Sequence, residues 1–387
     1  MIISFISKFK LYFLLLLVVF LGFSQIFSYI FIIFSISQLW RHSKLVIDIN
    51  FIFLFIFLVA FDLSTNTGGL VGRTVSIMFP VSFYIIGKSL TKRITGDYQI
   101  IALLFSFIFI FNAIPIVSYF YNLLNFGFDF SNLRLLGKGS GYISFTNYAS
   151  YYAYNFSLFP LVFYSTRNNS DKIIKRNGIT LSIIAIFIIG SIGQRTGFFI
   201  LLFCLLLFTI VKSFNFSRVS LSNFFFIGTL IFIGLSLVNF DFIYESTIYE
   251  RLFVLDSDKG ILKSRSEIWE IGLEEFFNRP DGDIHFSGFE GGYRYAHNLW
   301  LDVGLRSGYI VLLLLTISTV LYLTNLAALL KKTFLLETKM IFLFLSVAIF
   351  STFMVEPIME GYTLFFCSYA FVYGVLSGAR FSSIIGK

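Results

Sequence analysis

Cysteine is nearly absent from this chain of 387 residues. Cys204 and Cys367 both fall inside apolar runs, so neither a disulfide framework nor a cysteine metal site is indicated, and each reads as a small buried hydrophobe. Histidine is almost as scarce, three in all, with no spacing suited to metal ligation. Charge is thin as well: 13% of residues, about half the usual content, which could not cover the surface of a soluble domain. The apolar runs lack the alternation of a closed barrel, and the Lys and Arg lack the clustering of a nucleic-acid-binding face, despite a formal charge of +8. Lys8 and Lys10 precede an apolar stretch as in a signal peptide, but no small-residue cleavage site follows and hydrophobicity continues through Trp40. There is no internal repeat and no low-complexity segment beyond a Phe, Ile and Leu bias that A/T-rich codons also favour.

What remains is apolar: 57% of the residues, 54 of them Phe, with a mean hydropathy of +0.85. About 20 helical residues cross the hydrocarbon of a bilayer. On that measure spans fall near residues 9–23, 25–40, 50–64, 70–88, 98–121, 146–165, 178–193, 196–212, 222–240, 308–330, 339–355 and 360–379. The fold class expected is an all-α polytopic membrane protein of about twelve helices with one large external loop containing short helices. It divides into an N-terminal bundle over 1–240, a loop over 241–306 and a C-terminal bundle over 307–387. Residues 11–40 admit one long helix or, as preferred here, a hairpin breaking near Gly22, Ser24 and Gln25.

Cytoplasmic loops are enriched in Lys and Arg. With both termini inside, that side collects Lys8, Lys10, Arg41, Lys44, Lys88, Lys92 and most of the other bases, against Asp48, Asp97, Asp171 and Glu337 as its only acids. Residues 241–306 then face outward, as does a smaller Gly- and Asn-rich loop over 122–146.

The large loop contains Ser264-Arg265-Ser266-Glu267, the pattern of a capping box, which predicts a helix from Ser264 to just before Pro280. Trp269, Leu273 and Phe276 share one face of it, suited to resting on the membrane body or its interface. Arg265 lies in the first turn, where free N–H groups and a guanidinium suit a phosphate or pyrophosphate; pairing with Glu267 or Asp258 is the alternative. A Gly-rich stretch over 282–292 leads to Tyr295-Ala296-His297-Asn298-Leu299-Trp300. His297 therefore precedes a helix that enters the membrane, and a helix N-terminus disfavours the imidazolium form, leaving an imidazole able to accept a proton. His285 competes, in acidic surroundings, and a structural hydrogen-bonded role for His297 stays open. Arg195, in a tight external turn with no acid nearby, and Arg73, at another span end, are charges at membrane depth. Snorkelling is the alternative for the first and an ion pair with Asp62 for the second. Glu356 and Glu360 occupy a late external turn and suit an arginine or a sugar hydroxyl. Arginines, a neutral base and aromatic rings (Trp269, Tyr293, Tyr295, Trp300) together suit an anionic lipid carrier and sugar faces.

The turn Gly193-Gln194-Arg195-Thr196-Gly197, the loop Arg265 followed by Trp269, and His297-Asn298 with Gly304 and Gly308 before an apolar span resemble the O-antigen polymerase and O-antigen ligase superfamily over residues 178–330. The resemblance implies an inner-membrane glycosyltransferase of a bacterium, acting on the periplasmic face without metal or other cofactor. Its donor is undecaprenyl-pyrophosphate-linked glycan; membrane lipid and a polysaccharide chain-length regulator are the expected partners, and nucleic acid is not. It implies pyrophosphate binding by Arg195 and Arg265 and base catalysis by His297, with Arg73, Asn298, Trp269, Tyr295 and Glu356 as substrate contacts. Glu356-Pro357 and the Phe-rich, Trp-poor body look more like the polymerase branch; a ligase, a capsule polymerase and a lipid-linked oligosaccharide transporter are the alternatives. Gln194, where a small residue is usual, and the modest loop depart from the pattern.

Overall fold

The computed structural model describes residues 25–65, 70–91, 97–111, 261–283, 295–332, 334–356, 358–361 and 363–385, with Leu124, Ile200 and Phe203. The chain forms two compact units, one of Met1–Ile114, Leu262–Leu343 and Ile349–Lys387, the other of Pro115–Ile261 and Phe344–Ala348. Every regular element among the described residues is a helix: α1 (Gln25–Val46), α2 (Ile49–Thr65), α3 (Leu70–Thr91), α4 (Asp97–Phe111), α5 (Ile261–Asn278), α6 (Leu299–Leu330), α7 (Leu336–Phe353), α8 (Ile358–Gly361) and α9 (Thr363–Ile385).

Two of these are long and apolar enough to cross a membrane, Arg73–Thr91 within α3 and Leu299–Leu330. The apolar stretches Tyr29–Trp40, Ile49–Thr65, Gln99–Ile108, Thr338–Phe353 and Phe365–Ala379 are shorter. Helices thus occupy the regions expected near 25–40, 50–64, 70–88, 308–330, 339–355 and 360–379, and the part of 98–121 that is described, up to Phe111. The spans expected at 9–23, 146–165, 178–193 and 222–240, and the loop at 122–146, lie outside the described residues apart from Leu124; so does 196–212 apart from Ile200 and Phe203. One boundary moves notably: α1 continues through Arg41 and Lys44 to Val46, so that only Ile47 and Asp48 separate it from α2.

The first unit is held by aromatic and polar contacts of different kinds. Phe107 of α4 stacks on Phe371 of α9 with ring centroids 3.8 Å apart. Tyr322 of α6 packs against Tyr369 and Tyr373 of α9, each at 5.3 Å. The backbones of α3 and α9 approach so closely that a Cβ on Gly374 would run into the Tyr84 carbonyl, and one on Gly87 into that of Phe371. Small residues allow this approach, and close backbone packing takes the place of a hydrophobic driving force where the surroundings are lipid.

A buried polar knot ties the α1–α2 junction to both helices. Asp48 caps α2, accepting from the Phe51 N–H at 2.9 Å. Its carboxylate also accepts from Tyr84 Oη at 2.9 Å and Ser377 Oγ at 2.7 Å, and pairs with Lys88, whose side chain is 1% exposed. Lys88 further donates to the Val46 carbonyl at 3.2 Å, and Tyr373 Oη donates to Asn50 at 3.1 Å. Burial pushes the Asp48 carboxyl up, but the Lys88 charge and the hydrogen bonds from Lys88, Phe51 and Ser377 outweigh it and hold the group below its ordinary value.

Candidate functional site

The site is the elbow between α5 and α6. The helix α5 begins at Ile261, three residues before the expected Ser264, so Ser264 is not its cap and Arg265 lies in the second turn rather than the first. Of the three residues expected on one face of α5, two pack against protein. Ile268 is buried, with Ala296, Leu301 and Leu305, and Trp269 and Phe276 pack against this cluster. Leu273 is 49% exposed and does not belong to that face.

Past α5, Arg279 makes exposed ion pairs with Glu275 at 3.2 Å and Asp283 at 3.1 Å, of a kind that stabilises little. The decisive contacts are main-chain ones. The helix α6 is broken at Gly308, where φ is 78° and ψ 179°, a region open essentially to glycine alone. The turn after α5 fits into this break: Tyr309 N–H donates to the Pro280 carbonyl at 2.8 Å, and Asp283 N–H donates to that of Leu305 at 2.9 Å. Backbone groups released by the break are thereby satisfied. Gly282, with φ of 80°, faces Gly308 so closely that a Cβ on either would strike the other strand of backbone.

At the start of α6, Asn298 is the N-cap, its Oδ1 accepting from Trp300 N–H at 3.1 Å and Leu301 N–H at 3.2 Å. Asp302, one turn on, reaches back with both oxygens, to Ala296 N–H at 2.7 Å and Asn298 N–H at 3.1 Å. Trp269 Nε1 donates to the Ala296 carbonyl at 3.0 Å. The backbone on both sides of His297 is therefore fixed, and His297 itself takes a left-handed conformation, φ 55°, the only non-glycine residue among those described to do so. Its ring stands at 87° to Tyr295, centroids 6.4 Å apart, and the Arg306 guanidinium lies 5.3 Å from the centre of the Tyr295 ring. Asn298 Nδ2 also donates to Met354 Sδ at 3.6 Å, and Trp300 packs on Phe350 and Phe353. The turn carrying the buried Glu356 is thus brought beside the cap.

Of the residues expected in the site, Trp269, Tyr295, His297 and Asn298 come together, with Glu356 two residues beyond the Met354 contact. Arg73 stands at a different junction, between α2 and α3, where Ser76, one turn on, donates to buried Asp62. Arg195 and His285 lie outside the described residues, as do Tyr293 and the side chain of Arg265. Asp302 and Arg306 were missed by sequence reasoning. The signal for Asp302 was present, an acid in the first turn of a helix that follows an Asn. Among the described residues no three His, Cys, Asp or Glu side chains are grouped to hold a metal ion. The arrangement offers one half-buried imidazole on a fixed backbone, set edge-on to the Tyr295 ring, which in turn carries the Arg306 cation. Compared with known proteins, the chain matches no family model and no curated protein sequence.

Proposed function

We propose that the chain is a polytopic membrane glycosyltransferase acting on lipid-linked glycans at its external face. Within that class, the reading is an O-antigen polymerase, joining undecaprenyl-pyrophosphate-linked repeat units in the periplasm. The observation that carries it is the turn at His297: a left-handed residue held by Asp302 and Trp269, a strained conformation kept where a proton acceptor is needed. The acceptor hydroxyl gives its proton to His297, its oxygen attacks the anomeric carbon, and the bond to pyrophosphate breaks with inversion. The departing charge needs cations, and the resemblance assigns that role to Arg195 and Arg265. The twelve-span arrangement belongs to this reading and draws support from apolar side chains left exposed on α1, α2 and α6, among them Ile33, Trp40, Leu63 and Ile310.

The test is the lipopolysaccharide banding pattern of a strain lacking this gene, complemented with the parent or with His297→Ala. Loss of the ladder with survival of a band of core plus one unit, restored by the parent and not by the variant, is expected. Loss of every band above core, with long polymer on the carrier, would make the chain a ligase; repeat units trapped on the cytoplasmic side would make it a transporter. Full activity of a stably inserted His297→Ala protein would remove the assigned base.

A further inference from the structure

The apolar arc of α5 is wider than the surface that covers it. Over Glu267–Asn278, at 3.6 residues per turn, Ile268, Gly272, Phe276, Trp269, Leu273 and Phe277 follow one another around about half of the helix circumference. The first four lie on the side packed against Ala296, Leu301 and the start of α6. The last two do not: Leu273 is 49% and Phe277 75% exposed. Beyond Phe277 the arc ends abruptly in Glu270, Glu274 and Glu267, all exposed. An apolar strip that borders a packed face on one side and a row of carboxylates on the other has the section of a helix lying in a plane between oil and water.

The clamp at Gly308 says at what level that plane lies. Pro280 and Asp283, directly after α5, are bonded to Tyr309 and Leu305, so the end of α5 is fixed to the first residue of the unbroken part of α6. That part, Tyr309–Leu330, is about 22 residues or roughly 33 Å long, enough to cross the hydrocarbon. Its opening residues Tyr309 and Ile310, 52% and 58% exposed, begin an apolar surface continued by Leu313 and Val320. Phe277, less than one turn before Pro280, adjoins the level at which this surface starts, and Tyr309 is a residue type favoured at the headgroup boundary.

We infer that α5 is an interfacial helix whose Leu273–Phe277 edge lies in the outer boundary of the lipid bilayer, level with the start of the spanning part of α6. The glutamates face water, since anionic headgroups repel them. Because the clamp is made of backbone, the depth of this edge also sets the depth of the Tyr295–Asn298 turn. The inference rests on the chain spanning a membrane and not on the chemistry proposed for His297.

The experiment uses the full chain with Cys204 and Cys367 replaced by Ser, carrying single Phe277→Cys, Leu273→Cys or Glu274→Cys substitutions labelled with bimane. The variants are reconstituted in phosphatidylethanolamine and phosphatidylglycerol vesicles. Lipid brominated near the headgroup is expected to quench the label at 277 strongly and at 273 less, while aqueous iodide quenches the label at 274 and spares the other two. Iodide quenching at 273 and 277 equal to that at 274 would overturn the inference. So would protection of both from either quencher, since protein would then cover the strip. A chain extracted from vesicles by alkaline carbonate would instead overturn the spanning reading itself.

Discussion

Two junctions of the first unit are fastened by different means. Between α1 and α2 the fastening is made by side chains, a half-buried carboxylate and a buried ammonium surrounded by Tyr84, Asn50 and Ser377. Between α5 and α6 two main-chain hydrogen bonds pass through a gap that two glycines leave open, beside the Trp269 bond to the Ala296 carbonyl and the apolar cluster around Ile268. Side chains that are spent on holding a junction are not available for chemistry. The elbow leaves that work to backbone and cap, and presents His297, Tyr295 and Arg306 as a separate cluster.

The harshest way to break this contrast is to remove one charge from the knot. Lys88→Met strands the Asp48 carboxylate among buried groups and is expected to cost about 3–5 kcal/mol, read as a fall in the melting temperature of the detergent-solubilised protein. The pair Lys88→Met with Asp48→Asn should recover much of that loss; no recovery would show that the charges themselves are not what holds the junction. Next in size is Gly308→Ala, which forces a Cβ against Asp281 in a conformation that costs about 1–3 kcal/mol even without the clash. Its effect should be local: a red shift of Trp269 emission and loss of polymer, with melting of the α3–α9 pair unchanged. A global fall in melting temperature as large as that of Lys88→Met would erase the distinction between the two junctions.

Asn298 sharpens the comparison further. As a cap it is worth about 1 kcal/mol, so Asn298→Ala should lower activity modestly, whereas Asn298→Asp, which keeps the accepting oxygen, should stay near the parent. Equal and complete loss in both would restore a direct role toward substrate. The smallest effect is one of pH. Asp48 has its carboxyl held below its ordinary value of 3.8, so the stability it contributes is complete above that value and is lost as the pH falls through the lowered one. The parent should therefore lose stability more steeply than Asp48→Asn in that acid range, as measured by melting temperature against pH.

Helix positions were legible because an apolar run long enough to cross hydrocarbon leaves few alternatives, and seven of the expected regions carry helices. The cluster of Trp269, Tyr295, His297 and Asn298 was legible for a simpler reason: the last three are neighbours in sequence, and Trp269 lies on the helix just before them. What was hidden depended on partners far along the chain. Lys88 and Asp48 were counted only among the charges of the cytoplasmic side, because nothing local announces Tyr84, Ser377 and Tyr373 closing around them. Leu273 was grouped with Trp269 and Phe276 on a face suited to the membrane body or its interface, since helical period gives the width of an apolar arc and not which half of it meets protein. Ser264 matched a capping box, but the helix had already begun at Ile261.

The knot around Asp48 also imposes an order in time. Asp48, Asn50, Tyr84 and Lys88 leave the ribosome early, whereas Tyr373 and Ser377 sit on the last helix described. Until α9 arrives, the early helices carry a polar cluster missing two of its hydroxyls and a glycine-lined surface missing its complement. The arrival of α9 is thus registered at helices made long before it, and a nascent protein stalled ahead of α9 would present quality-control proteases with a set of polar groups that the folded unit conceals.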